Sequence, residues 1–190
     1  MSIQSKRQLR EVLKRKRQEI PAAQRHRFDA AIKAKVLTLP EVTQAHSIFC
    51  FISFADEVDT HNLIRELQQQ NKIIIVPKIL PIRKMAAILL PGWQELETDS
   101  FGIQVPRSSE PYQDSIDVCL TPGLGFSPTG HRLGYGRGYY DTWFSENQVT
   151  HKIGIGYDCQ VLDELPVDGT DVPVDKIVTE KKIYAVQNRR

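Results

Sequence analysis

The residues best suited to chemistry crowd into one stretch, TPGLGFSPTGHRLGYGRGYYD, from Thr121 to Asp141. Gly123, Gly125, Gly130, Gly134, Gly136 and Gly138 recur through it. Glycine admits positive φ and lets a ligand reach backbone N–H groups with no Cβ in the way. A strand, a glycine-rich loop and a helix start are how such N–H groups are gathered around phosphate. Arg132 and Arg137 add fixed positive charge. Tyr135, Tyr139 and Tyr140 add flat apolar faces with hydroxyls, and Asp141 closes the stretch with a carboxylate able to ligate a metal. The bland alternative, a long turn using glycine for geometry alone, leaves that interleaving unexplained. The spacing is neither GxxxxGK[ST] nor GxGxxG with a distant acid, so the stretch is neither a P-loop nor a dinucleotide fingerprint, although phosphate remains its natural guest. Magnesium takes a few carboxylates, waters and phosphate oxygens, which suits Asp141. Asp171, in GTDVPVD, is a second candidate, and by its own neighbourhood it reads as an ordinary loop aspartate. No Ser-His-Asp or Cys-His arrangement stands out. His26, His46, His61, His131 and His151 read as surface histidines.

The elements that must position this stretch alternate between two periods. Ser5 to Glu19 reads as a helix opened by a Ser5/Gln8 capping box, with Leu9, Val12, Leu13 and Ile20 along one side. Pro21 suits the start of a second helix, and Leu39-Pro40 ends it because the residue before proline is pushed out of the α region. Ser47 to Phe54 and Ile73 to Val76 read as buried strands, with a short helix begun by Thr60 between them. Pro77 is expected to stop the second strand. Met85 to Leu90 reads as another strand, Gly92 to Pro111 as loop, and Ile116 to Leu120 as the strand feeding the glycine stretch. Tyr139 to Phe144 reads as a helix, Lys152 to Tyr157 as a strand with two glycines, Cys159 to Leu165 as a short helix, and Lys176 to Thr179 as a last strand. Strands apolar on both faces and alternating with helices predict an α/β fold: a mostly parallel central sheet with helices on both faces, in three layers. In such sheets ligands sit at the strand C-termini. Asp56 to Thr60, the glycine stretch and Asp158 all follow strands there.

With 190 residues, one domain over residues 1–190 is expected, with 1–40 as a basic helical segment packed on the core. The net charge of +2 is too small to argue by itself for nucleic acid as partner, and its distribution matters more. Lys6, Arg7, Arg10, Lys14, Arg15, Lys16 and Arg17 face Glu11 alone. That run fits a contact with nucleic acid or a membrane surface, and equally a solvated helix face or a cation supply for an anionic ligand. No apolar stretch reaches the roughly 20 residues of a membrane helix, and no secretory h-region follows the first charges. Cys50, Cys119 and Cys159 lack metal spacing and read as buried thiols of a reducing, cytoplasmic compartment.

The chain also resembles a known family. KRQLR (Lys6 to Arg10), SFADEVDT (Ser53 to Thr60), PGLGF with RLGYGRGYYD (Pro122 to Phe126, Arg132 to Asp141) and DVPVDKIVTE (Asp171 to Glu180) are similar, in order, to segments of the 5-formyltetrahydrofolate cyclo-ligases. The resemblance implies that Lys6, Arg7 and Arg10 bind ATP together with Arg132, Leu133, Gly134, Tyr135, Gly136, Arg137, Gly138, Tyr139 and Tyr140. It implies that Phe54, Asp59 and the segment Tyr135, Gly136, Arg137, Gly138, Tyr139 face the folate. Asp141 and Asp171 would hold Mg2+, and Arg137, where many relatives carry glycine or lysine, would act catalytically on phosphate. The implied partners are small molecules only, with no nucleic acid and no membrane, and the chain is expected to be a monomer. Two other functions compete: an isomerase or transferase for a phosphorylated sugar or CoA ester, working without ATP, and a nucleic-acid binder using the basic helix. The latter lacks interleaved aromatics.

Overall fold

The computed structural model describes residues 5–81, 84–99 and 102–186. In chain order the helices are α1 (Lys6–Gln18), α2 (Ala22–Thr38), α3 (Pro40–Gln44), α4 (His61–Gln69) and α5 (Tyr139–Glu146). The strands are β1 (Ser47–Cys50), β2 (Ile73–Ile79), β3 (Met85–Leu89), β4 (Leu96–Thr98), β5 (Gln104–Pro106), β6 (Ile116–Pro122), β7 (Gly125–Phe126), β8 (Arg132–Leu133), β9 (Val149–Ile155), β10 (Lys176–Val178) and β11 (Ile183–Ala185). Seven of them form one sheet in the order β11-β10-β9-β6-β1-β2-β3. Its inner pairings, β10 with β9, β9 with β6, β6 with β1 and β1 with β2, are parallel. Both edges, β11 and β3, are antiparallel.

Side chains alternate along a strand, and the core divides accordingly. Ile48, Cys50, Ile74, Val76, Val118 and Leu120 pack on one face with Ile32 and Val36 of α2 and Leu63, Ile64 and Leu67 of α4. Phe49, Ile75 and Cys119 point the other way, against Trp143 of α5. Helices therefore cover both faces, giving the three layers expected. The two glycines of β9 and its end have a packing reason: a Cβ on Gly154 or Gly156 would stand 2.5 or 2.8 Å from the Phe126 ring. Phe126 is fully buried.

Helix α1 lies apart from both layers. Ser5 and Gln8 form the capping box. Leu9 and Leu13 pack with Leu124, Leu133, Leu162 and Leu165, above the strand ends. Each buried leucine stabilises that seat by roughly 1.5–3 kcal/mol, more than the exposed Lys14–Glu11 pair can. The same face carries Arg17, one helical turn on and 5% exposed.

The structure departs from expectation at short elements. Strand β2 runs through Pro77, which pairs with Ala87 of β3 and lies beyond the part of β2 that pairs with β1. Proline is tolerated where one side of a strand needs no ladder bond. Strand β1 ends at Cys50 rather than Phe54. Pro40 both ends α2 and begins α3. Within the expected loop Gly92 to Pro111 lie a 3-10 turn, Trp93–Glu95, and a β4–β5 hairpin. Cys159 to Leu165 is no helix; a single 3-10 turn, Asp158–Gln160, stands there. Cys50 and Cys119 are buried free thiols, raised by burial above the ordinary thiol range. No helix among the described residues is long and apolar enough to cross a membrane.

Candidate functional site

The glycine stretch divides into two parts. Its first half is structural. Strand β6 delivers the chain to the β7–β8 hairpin, where Gly125 pairs with Leu133 and Phe126 with Arg132. The buried Gln160 amide donates to the carbonyls of Gly123 and Leu124, at 2.8 and 3.1 Å. The second half, 134–138, is a loop without helix or strand that ends at α5. Gly136 and Gly138 take φ of 96° and 68°, the left-handed region that favours glycine. Gly138 is the N-cap of α5, so the positive end of that helix opens onto the loop.

Two cavities meet at this loop. The first, about 570 Å³, is lined by several charged groups and is walled by Lys6 and Arg10 of α1, the loop, the first turns of α5 and the segment 168–172. Arg10 Nε donates to the Gly134 carbonyl at 2.8 Å, so α1 holds the loop directly. Lys6 Nζ sits 2.7 Å from both Asp168 and Asp171. Burial pulls the Lys6 ammonium down, but those bonds outweigh it and hold it above its ordinary value. Burial pushes the Asp171 carboxyl up; the Asp168 N–H and Lys6 outweigh that and keep it below the usual carboxylate range. Arg132 is 3% exposed in its side chain and bonds Asp141 Oδ1 at 2.8 Å. The same oxygen accepts from the Val172 N–H at 3.2 Å, which joins the Asp141 and Asp171 segments across thirty residues of chain. The Arg132 guanidinium also lies 5.2 Å from the centre of the Tyr140 ring.

The second cavity, about 560 Å³, is mainly apolar. Phe51, Ile52, Pro77, Ile79 and Met85 line it from the sheet edge, Ile103 and Val105 from the β4–β5 hairpin, and Tyr135, Tyr139 and Tyr140 from the loop and α5. Arg132, Gly134, Gly138 and Asp141 belong to both cavities. One carboxylate reaches the apolar wall from the turn after β1. Glu57 Oε1 accepts from the Tyr135 hydroxyl at 2.6 Å, and Oε2 from the Phe54 N–H at 3.0 Å. Burial raises Glu57 above the usual carboxylate range, against the pull of those two donors and the charge of Arg17.

A cation-walled cleft thus adjoins a cavity with an aromatic wall. Residues 2–180 match the 5-formyltetrahydrofolate cyclo-ligase family. The chain belongs to the 5-formyltetrahydrofolate cyclo-ligase family. It is 30% identical over 185 residues to the 5-formyltetrahydrofolate cyclo-ligase of Haemophilus influenzae, covering 94% of this chain and 99% of that one. It is 28% identical over 190 residues to the mouse (Mus musculus) protein of the same name, covering 93% and 94%. Its fold superposes with a TM-score of 0.84 on the NMR structure of Aquifex aeolicus 5,10-methenyltetrahydrofolate synthetase, at 29% identity, covering 97% of this chain and 94% of that one.

Within this member of the cyclo-ligase family the expected site residues separate into groups. Lys6, Arg10, Arg132, Leu133, Gly134, Gly136, Gly138, Asp141 and Asp171 line the polar cavity. Tyr135, Arg137, Tyr139 and Tyr140 line the apolar one, and Gly136 lines the polar one alone. Arg7 is exposed and lines neither described wall. Phe54 and Asp59 also stand outside the described lining. Phe54 is 45% exposed and contributes its backbone N–H to Glu57. Asp59 turns away to the start of α4, where its carboxylate accepts from the His61 N–H at 2.9 Å and the Asn62 amide at 2.7 Å. Glu57 of the same motif, and Ile52 just before it, face the cavity instead. Sequence reasoning missed both, along with Arg17.

Proposed function

We propose that this chain converts 5-formyltetrahydrofolate to 5,10-methenyltetrahydrofolate, with ATP consumed and ADP and phosphate released. The observation that carries the reading is the pair of cavities sharing a wall of Arg132, Gly134, Gly138 and Asp141, against which a triphosphate and a pteridine would meet. The N5 formyl amide is a poor electrophile. Its oxygen attacks the γ-phosphorus of ATP, the bond to the β,γ-bridging oxygen breaks, and ADP leaves. The formyl oxygen is now a phosphate leaving group. N10 attacks the activated carbon, loses its proton, and expulsion of phosphate closes the five-membered ring as the methenyl cation. Such a transfer needs alignment and charge neutralisation more than a covalent nucleophile.

Each wall has a part in this. Lys6, Arg10 and the α5 N-terminus face the triphosphate. Arg132, in both walls, stands where the γ-phosphoryl crosses to the formyl oxygen, and Arg137 joins it from the loop. Tyr139 and Tyr140 offer faces to the pteridine. Glu57 can accept from the N–H donors on the edge of the pyrimidine ring.

Magnesium fits this reading. Asp141 uses Oδ1 for Arg132 and Val172, and Asp171 uses Oδ2 for Lys6 and the Asp168 N–H. Their other oxygens make no hydrogen bond among the described residues. No group of three or more His, Cys, Asp or Glu able to hold a metal stands among the described residues. An ion would therefore arrive with the nucleotide and complete its shell with phosphate oxygens. When bound it neutralises phosphate charge; Asp141 and Asp171 would anchor it.

The test is direct. Purified protein mixed with 5-formyltetrahydrofolate, ATP and magnesium should develop the methenyl chromophore, and omission of ATP should abolish it. Folded protein that forms no chromophore, or forms it equally without ATP, overturns the proposal and favours the ATP-independent isomerase or transferase.

A further inference from the structure

Arg17 belongs to neither cavity, yet its side chain is 6% exposed and carries a full charge. A buried arginine is costly unless its donors are met. Its Nε and one terminal nitrogen form a fork on Asp56 at 2.8 and 3.1 Å. The same terminal nitrogen donates to the Tyr135 hydroxyl at 3.0 Å, and that hydroxyl donates its own proton to Glu57 at 2.6 Å. The Arg17 guanidinium also lies 5.9 Å from the Tyr135 ring centre. A chain of hydrogen bonds thus runs from α1, through the apex of the glycine loop, to the carboxylate in the apolar cavity. Asp56 and Glu57 are adjacent, so one turn receives both ends of it.

We infer that Arg17 is a positioning residue for folate: through Tyr135 it fixes the orientation of the Glu57 carboxylate, and so ties the seating of α1 to recognition of the pteridine edge. This rests on the folate reading of the apolar cavity. The geometry leaves Tyr135 little choice. Arg17 has no acceptor capacity, so the phenolic oxygen must accept from it and give its proton to Glu57. Glu57 then meets its ligand with one lone pair already filled on each oxygen, and only its remaining lone pairs are offered to ring N–H donors. The charged groups nearest Glu57 are Arg17 from α1 and Asp56 from its own turn, with the neutral Tyr135 hydroxyl bonded to it; Lys78, Glu97, Arg132 and Arg137 line the same cavity. Arg17 and Tyr135 favour the carboxylate; burial and Asp56 oppose it. Without Arg17 the balance moves toward the protonated acid, which cannot accept two N–H donors as well.

The test measures Kd for 5-formyltetrahydrofolate and for ATP separately, by calorimetry, from acid to neutral pH. Arg17→Met should raise the folate Kd about tenfold, the scale of one lost charge-assisted hydrogen bond, and move the acid limb of folate binding to higher pH. ATP Kd should hold. Arg17→Met with Asp56→Asn removes the pair without leaving a lone buried charge, and serves if the single variant does not fold. Arg17→Lys keeps the charge and one donor, so the limb should return toward that of the wild type. Tyr135→Phe should shift the limb in the same direction as Arg17→Met. Folded variants with an unshifted limb overturn the inference, as does an equal loss for ATP and folate, which would mark Arg17 as a structural tether. If the wild type itself binds no folate or shows no ATP-dependent chromophore, the functional reading has failed instead.

Discussion

Replacing Lys6 by methionine keeps the length of the stem and removes one charge from the polar cavity. Its two contacts are unequal. Asp168 is 70% exposed, so that pair contributes about 0–1 kcal/mol. Asp171 is 17% exposed, and its charge-assisted bond is worth about 1.5–3 kcal/mol. Helix α1 should stay seated, because Leu9 and Leu13 remain buried beneath it. The loss therefore falls on ligand binding: two carboxylates now face an incoming triphosphate with no cation between them. ATP affinity should drop tenfold or more, on the order of the lost charged bond. Excess magnesium should restore part of it, because the freed aspartates gain affinity for the ion. The pH dependence has a definite sign. Lys6 is held above its ordinary value, so its contribution is complete below the normal lysine range and is lost as pH rises through the folded value. Asp171 is held below its ordinary value, so its contribution is present above the normal carboxylate range and is lost as pH falls through the folded value. Across neutral pH the wild-type ATP Kd should be flat in this respect. Calorimetry at limiting and excess magnesium gives both numbers. A folded Lys6→Met protein with normal ATP affinity at limiting magnesium refutes the assignment and leaves Lys6 as a tether for the segment 168–172.

Other perturbations divide the site further. Asp171→Asn and Asp141→Asn should each cut activity strongly and recover partly with added magnesium, with folate binding alone little changed; normal activity of folded Asp171→Asn at limiting magnesium counts against a metal role. Glu57→Gln should raise the folate Kd and leave ATP untouched, whereas Asp59→Ala should act on stability, since loss of a helix-start acceptor costs about 1 kcal/mol and about 2–4 °C in Tm for a chain of this size; a folate effect at Asp59 exceeding that at Glu57 would reverse their roles. Gly136→Ala and Gly138→Ala should share a left-handed strain of about 1–2 kcal/mol, but only at Gly136 does the new Cβ meet Arg10, 3.1 Å from its guanidinium carbon. ATP affinity should therefore fall further for Gly136→Ala, and equal losses would remove Arg10 from the binding account.

Much of the fold was legible because long, strongly patterned segments carry their own signal. Ser47 to Cys50, Ile73 to Val76 and Ile116 to Leu120 are apolar at nearly every position, which an inner strand of a sheet covered on both faces satisfies. The capping box at Ser5 and the proline at position 40 name helix ends through backbone chemistry alone. The misses are elements too short to show a period. Strands β4, β5 and β11 have three residues each, and what fixes them is pairing with a partner distant or recently turned, not their own composition. Pro77 misleads because its cost depends on which neighbour a strand has at that residue, and a single sequence does not contain that neighbour.

The site was legible by residue type and illegible by direction. In SFADEVDT several polar side chains follow one strand, and the sequence marks the turn without saying which acid looks inward. The backbone decides: Phe54 donates its N–H to Glu57, which closes the turn and aims that carboxylate at the cavity, while Asp59, two residues on, is consumed by the start of α4. Arg17 was hidden by company. It ends a run of seven cations, and a basic run is ordinarily a solvated face. Yet Leu9, Leu13 and Arg17 repeat every four residues, so the helix that buries two leucines must carry the arginine to the same side, where Asp56 and Tyr135 meet it. Periodicity assigned to apolar residues alone discards such a charge. Applied to every residue, the same four-residue repeat puts Arg17 on the inner face of α1. A charge on that face is tolerated only with full partners, which makes the acidic turn after β1 its necessary destination.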